Sequence, residues 1–482
     1  MEQLRQQAVK SVFWVGSTQT LGQLVSLAAT VYLMRILSPV DYGLVGMAGT
    51  YQAIIYILYD LGIGVAVVQK KDLSEEDIHS AFWFSAGFGL ILFALTWYLA
   101  ILCGDFYSSD KVVPLIRVLA IGNIFLAINE VPYCLMAKRF EFKRRGFAEL
   151  CSGIFSLAVS VALAVNGFGV WSLVIGQVSQ QCCLCILILS FYRWKTRICF
   201  RPSRVKSLLR LGIPITGQSL LSYLNQNSDS VIVGRFLGQS ALGYYQIAVS
   251  LAMMPINKVI VTANKVVFPV FSKLQDDEER MKGYFYKVFH LISIFSFPIL
   301  LGLFCVSEEV VVLILSPKWL PGLFVLRVFC LIAIFRSYVG FLLIILKAKG
   351  NGGAVFKYGL YSSIVLPIGF LVGVKFGIFG VALAWLVCFP ALFLYLLWRV
   401  KKEIHISFID TWGKASHAFF ASLAMTACIF LLKKTLLAHH PISFVSFGAT
   451  VLTGAAVFVI YHGLFCRQVF CEIREIGTGL VS

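Results

Sequence analysis

Apolar runs of about 20 residues, each long enough to cross a bilayer as a helix, recur along the whole chain. They fall at 12–36, 43–68, 80–102, 113–137, 147–166, 169–192, 208–234, 242–270, 286–306, 322–346, 355–374, 378–398, 416–436 and 442–465. The pattern predicts an all-α polytopic membrane protein with fourteen transmembrane helices. Polar residues break into the first and seventh runs, and only Asn166-Gly167-Phe168-Gly169 separates the fifth from the sixth. Val12–Leu37 is too long for the apolar core of a signal peptide and lacks a small-residue cleavage site. It reads as the first membrane helix.

The loops carry charge on alternate sides. With the N-terminus in the cytoplasm, the even-side loops hold Lys70 and Lys71, then Lys138, Arg139, Lys143, Arg144 and Arg145. Clusters at Arg193–Arg210, Lys273–Lys287, Lys347–Lys357 and Arg399–Lys414 follow on the same side. The opposite loops hold little beyond Arg35, Lys111, Arg235, Lys318, Lys375, Lys433 and Lys434. This bias keeps its sign at every crossing and places both termini in the cytoplasm. The longest outer loop is 307–321, too short for a soluble domain.

Composition agrees. Of 482 residues 59% are hydrophobic and 13% charged, with mean hydropathy +0.85; a soluble domain carries about 25% charged residues. The net charge of +18 belongs to the cytoplasmic loops and is not interleaved with stacking aromatics, which argues against nucleic acid. Most of the 13 cysteines lie within apolar runs, as Cys134, Cys151, Cys330, Cys388 and Cys428 do, and behave there as small hydrophobes. Cys182, Cys183 and Cys185 lack the spaced His or carboxylate partners of a metal site.

The chain is duplicated. Val31, Arg35, Leu37 and Gly43 recur as Val231, Arg235, Leu237 and Gly243. Leu115–Leu119 is matched by Val325–Phe329, and Gly169-Val170 by Gly380-Val381. The order and near-constant offset set helices 1–6 on helices 7–12. An even number of crossings gives a parallel repeat about an axis along the membrane normal. The predicted organisation is an N-lobe (1–195), a C-lobe (196–400), and two C-terminal helices with a short cytoplasmic tail (401–482).

Polar positions inside the spans follow helical spacing. Gln218, Ser222, Gln226 and Asp229 recur at i, i+4, i+8 and i+11, and Gln19, Gln23, Ser26 and Thr30 at i, i+4, i+7 and i+11, one stripe on each helix. Lipid exposure of such stripes is costly, so helices 1 and 7 are expected to wall a central space; hydrogen bonding between helices is the alternative. Asp60, Glu130, Lys258 and Arg336 all lie about 24–28 Å from the outer ends at 1.5 Å per residue, with Lys265 deeper. The acids belong to the first lobe and the cations to the second. Three readings stand: pairing across an inner gate or ion coupling through Asp60 and Glu130, attraction of an anionic substrate group by Lys258, Lys265 and Arg336, or fixed ion pairs within a lobe. Pro132, Pro255, Pro298, Pro367 and Pro390 sit inside spans and bend them.

Enzyme chemistry is not visible. The seven histidines lie mostly at membrane edges, none is read as joining a carboxylate in a metal site, and no Gly-rich phosphate loop occurs. No cofactor is expected.

Three stretches, YLNQNSDSVIVGRFLGQSALGYY (223–245), FPVFSKLQDDEERMKGYFYK (268–287) and RILSPVDYGLVGMA (35–48), resemble the bacterial polysaccharide transporter family. Within the multidrug/oligosaccharidyl-lipid/polysaccharide (MOP) superfamily they are most similar to its colanic-acid/lipopolysaccharide exporter branch. The resemblance spans roughly residues 1–400. It implies a V-shaped pair of six-helix lobes working by alternating access. It also implies a flippase that moves an undecaprenyl-diphosphate-linked oligosaccharide across the bacterial inner membrane for surface polysaccharide synthesis. The implied partners are that substrate, membrane lipid, and the polysaccharide polymerase and chain-length machinery. No binding residue is carried over. Tyr56, Tyr59, Tyr223, Tyr244 and Tyr245 are aromatic candidates for stacking on sugar rings or for packing. Two rivals remain: a cation-coupled multidrug exporter of the same superfamily, and a membrane polysaccharide polymerase or acyltransferase.

Overall fold

In the computed structural model, the structure describes residues 22, 25–70, 72–192, 197–275, 277–435 and 442–465. These residues are helical almost throughout, with no strand among them. The helices are α1 (Val25–Ile36), α2 (Pro39–Asp60), α3 (Ile63–Gln69), α4 (Glu75–Tyr107), α5 (Val112–Lys138), α6 (Phe142–Val165), α7 (Val170–Phe191) and α8 (Pro202–Lys273). After these come α9 (Glu278–Cys305), α10 (Ser307–Glu309), α11 (Leu323–Ala348), α12 (Gly352–Gly373), α13 (Gly377–Ile404), α14 (Phe408–Thr435) and α15 (Phe444–Phe465). Among the described residues, ten helical stretches are long and apolar enough to cross a membrane. The chain is a multi-pass membrane protein. α8 is not one of the ten: its first arm carries the polar stripe and its second Asn257, Lys258, Asn264 and Lys265.

Local chemistry sets the breaks. α2 starts in a capping box: Ser38 Oγ accepts from Asp41 N–H and Asp41 Oδ2 accepts from Ser38 N–H, with Pro39 next in the first turn. This arrangement satisfies two donors that the first turn leaves free. Ser74 and Asp77 repeat the device at α4. The predicted second span is split, because Leu61 and Gly62 both take positive φ, 42° and 67°. The predicted seventh and eighth spans join in α8, which breaks its helical geometry at Gly238 (φ 81°). The predicted outer loop 307–321 is largely coiled, as α10, a π-helical turn (Val310–Leu315) and a 3-10 turn (Pro317–Gly322).

The chain forms two compact units, Met1–Gly243 and Tyr244–Ser482, dividing within α8 just past that break. In the first, α5 packs against α2, α3, α4 and α7, while α6 packs mainly on α7 and barely touches α5. Ile63, Ala66, Val67, Phe82, Met136 and Leu208 form its core at the basic end. There the segment 197–204 is strapped to the start of α4. Trp83 Nε1 donates to Arg197 O (3.0 Å), Arg201 pairs with Glu76 (2.8 Å), and Lys70 pairs with the fully buried Asp77 (2.7 Å).

The first arm of α8 (202–237) lies along α2. Gly62 and Gly212 meet backbone to backbone, and a Cβ on either would overlap the other's main chain. Near mid-span Tyr223 donates to Thr50 O (3.0 Å). At the far end a Cβ on Gly43 would overlap Gln239 O, and a Cβ on Gly243 would overlap Pro39 O. These two contacts exchange when 200 is added to one residue and subtracted from the other, so the repeated turns clasp each other by a local two-fold relation.

In the second unit α9 packs on α11 and α14, α13 on α11 and α12, and α15 chiefly on α14. Trp385, Phe329, Phe370 and Tyr245 fill its centre, each under 2% exposed, and Trp385 Nε1 donates to Tyr245 Oη (3.0 Å). α14 is pinned to α9 at both ends. Tyr286 Oη accepts from Ser407 N–H (3.1 Å) at one end. At the other, Lys433 Nζ binds Glu309 (2.5 Å) and Cys305 O (2.6 Å). Lipid tails are as apolar as Leu, so such close packing and hydrogen bonding, rather than transfer from water, hold the helices together.

Candidate functional site

The first arm of α8 presents two different faces. Gly212 and Gly234 meet neighbouring helices of the first unit, with Tyr223 at the edge between the faces; an added Cβ on Gly234 would crowd the Tyr107 ring. The other face opens on a concavity of about 400 Å³ lined by Ile215, Gln218, Ser219, Ser222, Tyr223, Gln226 and Asn227. These positions run i, i+3, i+4, i+7, i+8, i+11 and i+12, a stripe two side chains wide on a 3.6-residue helix. Gln218, Ser222 and Gln226 are exposed within it, and Asn227 Nδ2 donates to Tyr223 O one turn back (3.1 Å).

The described lining offers amides, hydroxyls and one phenol, and no charged group is among these residues. Amides present both donors and acceptors and hydroxyls do either. A wall of this kind can exchange hydrogen bonds with a polyhydroxylated chain without fixing one group of it.

Three of the four residues expected on this stripe therefore share one surface. The fourth, Asp229, is placed otherwise: it is 4% exposed, outside the lining, and its Oδ1 accepts from Ser230 N–H at 2.6 Å. Ser219 and Asn227 line the concavity and were missed, because a spacing of four residues traces only one edge of the stripe. On α1, Ser26 is exposed and Thr30 half-buried. Gln19 and Gln23 lie outside the described residues, as do the side chains of Asp60, Lys258 and Lys265. The backbone puts Asp60 at the end of α2, and Lys258 and Lys265 in the second arm of α8 (239–273).

The other charged candidates sit inside their own units. Glu130 is half-buried on α5, with Cys134 Sγ donating to its Oε1 (3.4 Å). The Arg336 guanidinium lies over the rings of Trp385 (4.4 Å) and Phe389 (5.7 Å) on α13. Arg327 reaches Ser307 Oγ (2.9 Å) and Glu308 (3.5 Å) at its helix end. Arg235 bonds Ser108 Oγ (2.8 Å) and stacks on Phe106. Of the stacking candidates, Tyr59 and Tyr245 are buried, Tyr244 packs edge-on to Trp319, Tyr56 is exposed and Tyr223 is in the concavity. Among the described residues no three potential metal ligands converge.

Comparison with known proteins gives this geometry a context. The profile of the family described as polysaccharide biosynthesis protein matches residues 32–323, more than half of the chain. The chain is 27% identical to the lipopolysaccharide biosynthesis protein WzxC of Escherichia coli (strain K12) over 386 residues, 80% of this chain and 78% of that one. It is 24% identical to the succinoglycan biosynthesis transport protein ExoT of Rhizobium meliloti (strain 1021), over 92% of this chain and 90% of that one. In fold it is similar to the lipid II flippase MurJ in an inward closed conformation, with a TM-score of 0.79 at 18% identity over 95% of this chain and 99% of that one. An inward-facing MATE-family multidrug resistance transporter of the MOP superfamily also shares the fold, at TM-score 0.62, 15% identity, and 80% and 96% coverage. An all-helical membrane chain with a neutral hydrogen-bonding face, matched over 32–323 by this one profile, belongs to the polysaccharide biosynthesis protein family.

Proposed function

We propose that the protein is a flippase of the MOP superfamily. It carries an undecaprenyl-diphosphate-linked oligosaccharide repeat unit from the cytoplasmic to the outer leaflet of the bacterial inner membrane. In this reading fourteen helices cross the membrane with both termini cytoplasmic, as the loop charges require. Residues 1–195 and 196–400 act as parallel-repeat lobes that open alternately to the two sides, and 401–482 supports the second. The reaction is transport, with no bond made or broken. The polymerase and chain-length machinery would take over the product.

The observation that carries this reading is the lining of the α8 concavity, neutral, amide- and hydroxyl-rich, inside a membrane protein. A sugar chain stripped of water needs replacement hydrogen bonds, each worth about 0.5–1.5 kcal/mol net, and the stripe offers them along several turns. The WzxC and ExoT names point to polysaccharide biosynthesis and transport. A site for cationic drugs would want a carboxylate in the lining, and none is among its described residues. Lys258, Lys265 and Arg336 remain candidates for drawing the diphosphate. Asp60, Glu130 and Asp229 remain candidates for gating or proton and sodium coupling.

The test is leaflet-resolved labelling of lipid-linked sugar in a deletion strain complemented with Gln218→Leu/Ser222→Ala/Gln226→Leu. The triple variant should insert normally while precursor accumulates in the cytoplasmic leaflet. Wild-type transfer by the variant would overturn the assignment of the stripe.

A further inference from the structure

A second cavity, of about 510 Å³, lies elsewhere in the first unit. It exists because α5 and α6 diverge while both pack on α7, leaving a furrow between them with α7 as its floor. Ile175, Val178, Ser179, Cys182, Ile186 and Leu187 supply that floor at i, i+3, i+4, i+7, i+11 and i+12, while Val118 and Phe125 from α5 and Phe155 from α6 form the walls. Twelve residues of α7 at 1.5 Å each make the furrow roughly 18 Å long, slightly more than half of a ~30 Å hydrocarbon core. Its lining is almost wholly apolar, unlike the α8 concavity, and Ile186 (58%) and Phe155 (49%) are exposed at its mouth.

The furrow points at cations. Arg144 precedes Phe155 by eleven residues on α6, within about 20° of the same helical stripe. Arg139, which caps the end of α5, follows Phe125 by fourteen residues, about 40° from its stripe if the helical turn is continued. The rings of Phe147 and Phe191 meet at 6.1 Å, which sets the start of α6 beside the end of α7. The Arg139 guanidinium sits 5.0 Å over the ring of Tyr192, the residue that caps α7. Tyr192 is only five residues, roughly 8 Å, past Leu187. Arg139 and Lys143 are exposed. Arg144 is 62% exposed even though it pairs with Glu141 at 3.1 Å, a surface pair of little energetic consequence. Between them Phe140, at φ 59°, stands 78% exposed, as a residue entering the bilayer interface would.

We infer that the α5–α6–α7 furrow is a binding site for an acidic phospholipid. One acyl chain lies along α7 and the phosphate is held at Arg139 and Arg144. Charge complementarity selects this occupant: basic groups at a helix bundle's membrane edge attract anionic headgroups, while a zwitterionic lipid gains no such attraction. The site is separate from the α8 concavity, and its occupation needs no transport. In the orientation proposed above the lipid belongs to the cytoplasmic leaflet, and only that assignment rests on the proposed function.

The test uses the full chain in detergent, delipidated and titrated with phosphatidylglycerol or phosphatidylcholine, with bound lipid counted by native mass spectrometry. One phosphatidylglycerol per chain is expected to survive where phosphatidylcholine does not. Arg139→Gln/Arg144→Gln should weaken that retention about thirtyfold. Ser179→Phe, which fills the furrow, should abolish it with the arginines intact. If Ser179→Phe does not fold, the surface double variant decides alone. Equal retention of both lipids, or wild-type retention by the double variant, would overturn the site. So would displacement of phosphatidylglycerol from the furrow by a polyprenyl diphosphate, which would make it a carrier site. The titration reads no flipping and the leaflet assay reads no bound phospholipid, so either proposal can fail without the other.

Discussion

The reciprocal clasp between the repeated turns makes a sharp prediction. Gly43→Ala places a methyl carbon in overlap with Gln239 O, and Gly243→Ala does the same to Pro39 O. Both carbonyls belong to backbone at helix starts and cannot rotate aside, so the clasp must open until ordinary contact, 3.4 Å or more, is restored. Overpacking of this kind costs about 1–3 kcal/mol. The gain from replacing a helical Gly by Ala is about 0.5–1 kcal/mol, so each single variant should lose roughly 1–2 kcal/mol net. The double variant should lose much less than the sum, because the separation that admits one methyl also admits the other; contacting residues commonly show such coupling, about 0.5–3 kcal/mol. Gly49→Ala, on the same α2 with nothing within 4 Å of its added carbon, is the control and should be neutral or stabilising. The assay is reversible unfolding of the purified full chain in detergent, followed by helical circular dichroism. Single variants as stable as Gly49→Ala would refute the backbone contact. A strictly additive double variant would refute its reciprocity.

The other predictions concern the second unit. Arg336→Ala should lower stability by about 0.5–2 kcal/mol through loss of the stack on Trp385 and Phe389, and Arg336→Lys should recover less than half of it, since an ammonium lacks the planar face; thermal unfolding of the three proteins checks this. Lys433→Met should cost more than Lys433→Met/Glu309→Gln, because the single change leaves Glu309, an 8%-exposed residue, without its cation; a double-mutant cycle in denaturant checks the sign.

Much of the architecture was legible along the chain because a bilayer removes most alternatives. Backbone groups in hydrocarbon must bond within their own helix, so an apolar run of sufficient length already specifies its secondary structure. The repeat was equally plain in Arg35 and Arg235, or Gly43 and Gly243, since duplicated turns keep the residues their geometry requires. The site was less legible. Spacing located Gln218, Ser222 and Gln226 on one face, but the same spacing included Asp229, which folding turned into the protein. Depth placed Glu130 and Arg336 at similar levels without saying what stood beside them. Arg336 needed Trp385, 49 positions later (385 − 336), and no local pattern announces such a partner.

The sequence by itself determined that this is a helical membrane protein with a polar stripe along Gln218, Ser222 and Gln226, because those properties follow from local hydropathy and helical period. Tertiary structure decided which side of each helix meets another helix and which meets open space. It opened the α8 concavity, buried Asp229, stacked Arg336 on aromatic rings and left the furrow between α5 and α6. Those outcomes depend on packing between residues far apart in the chain, where lipid supplies no net apolar force to order the helices and close contact between particular side chains does.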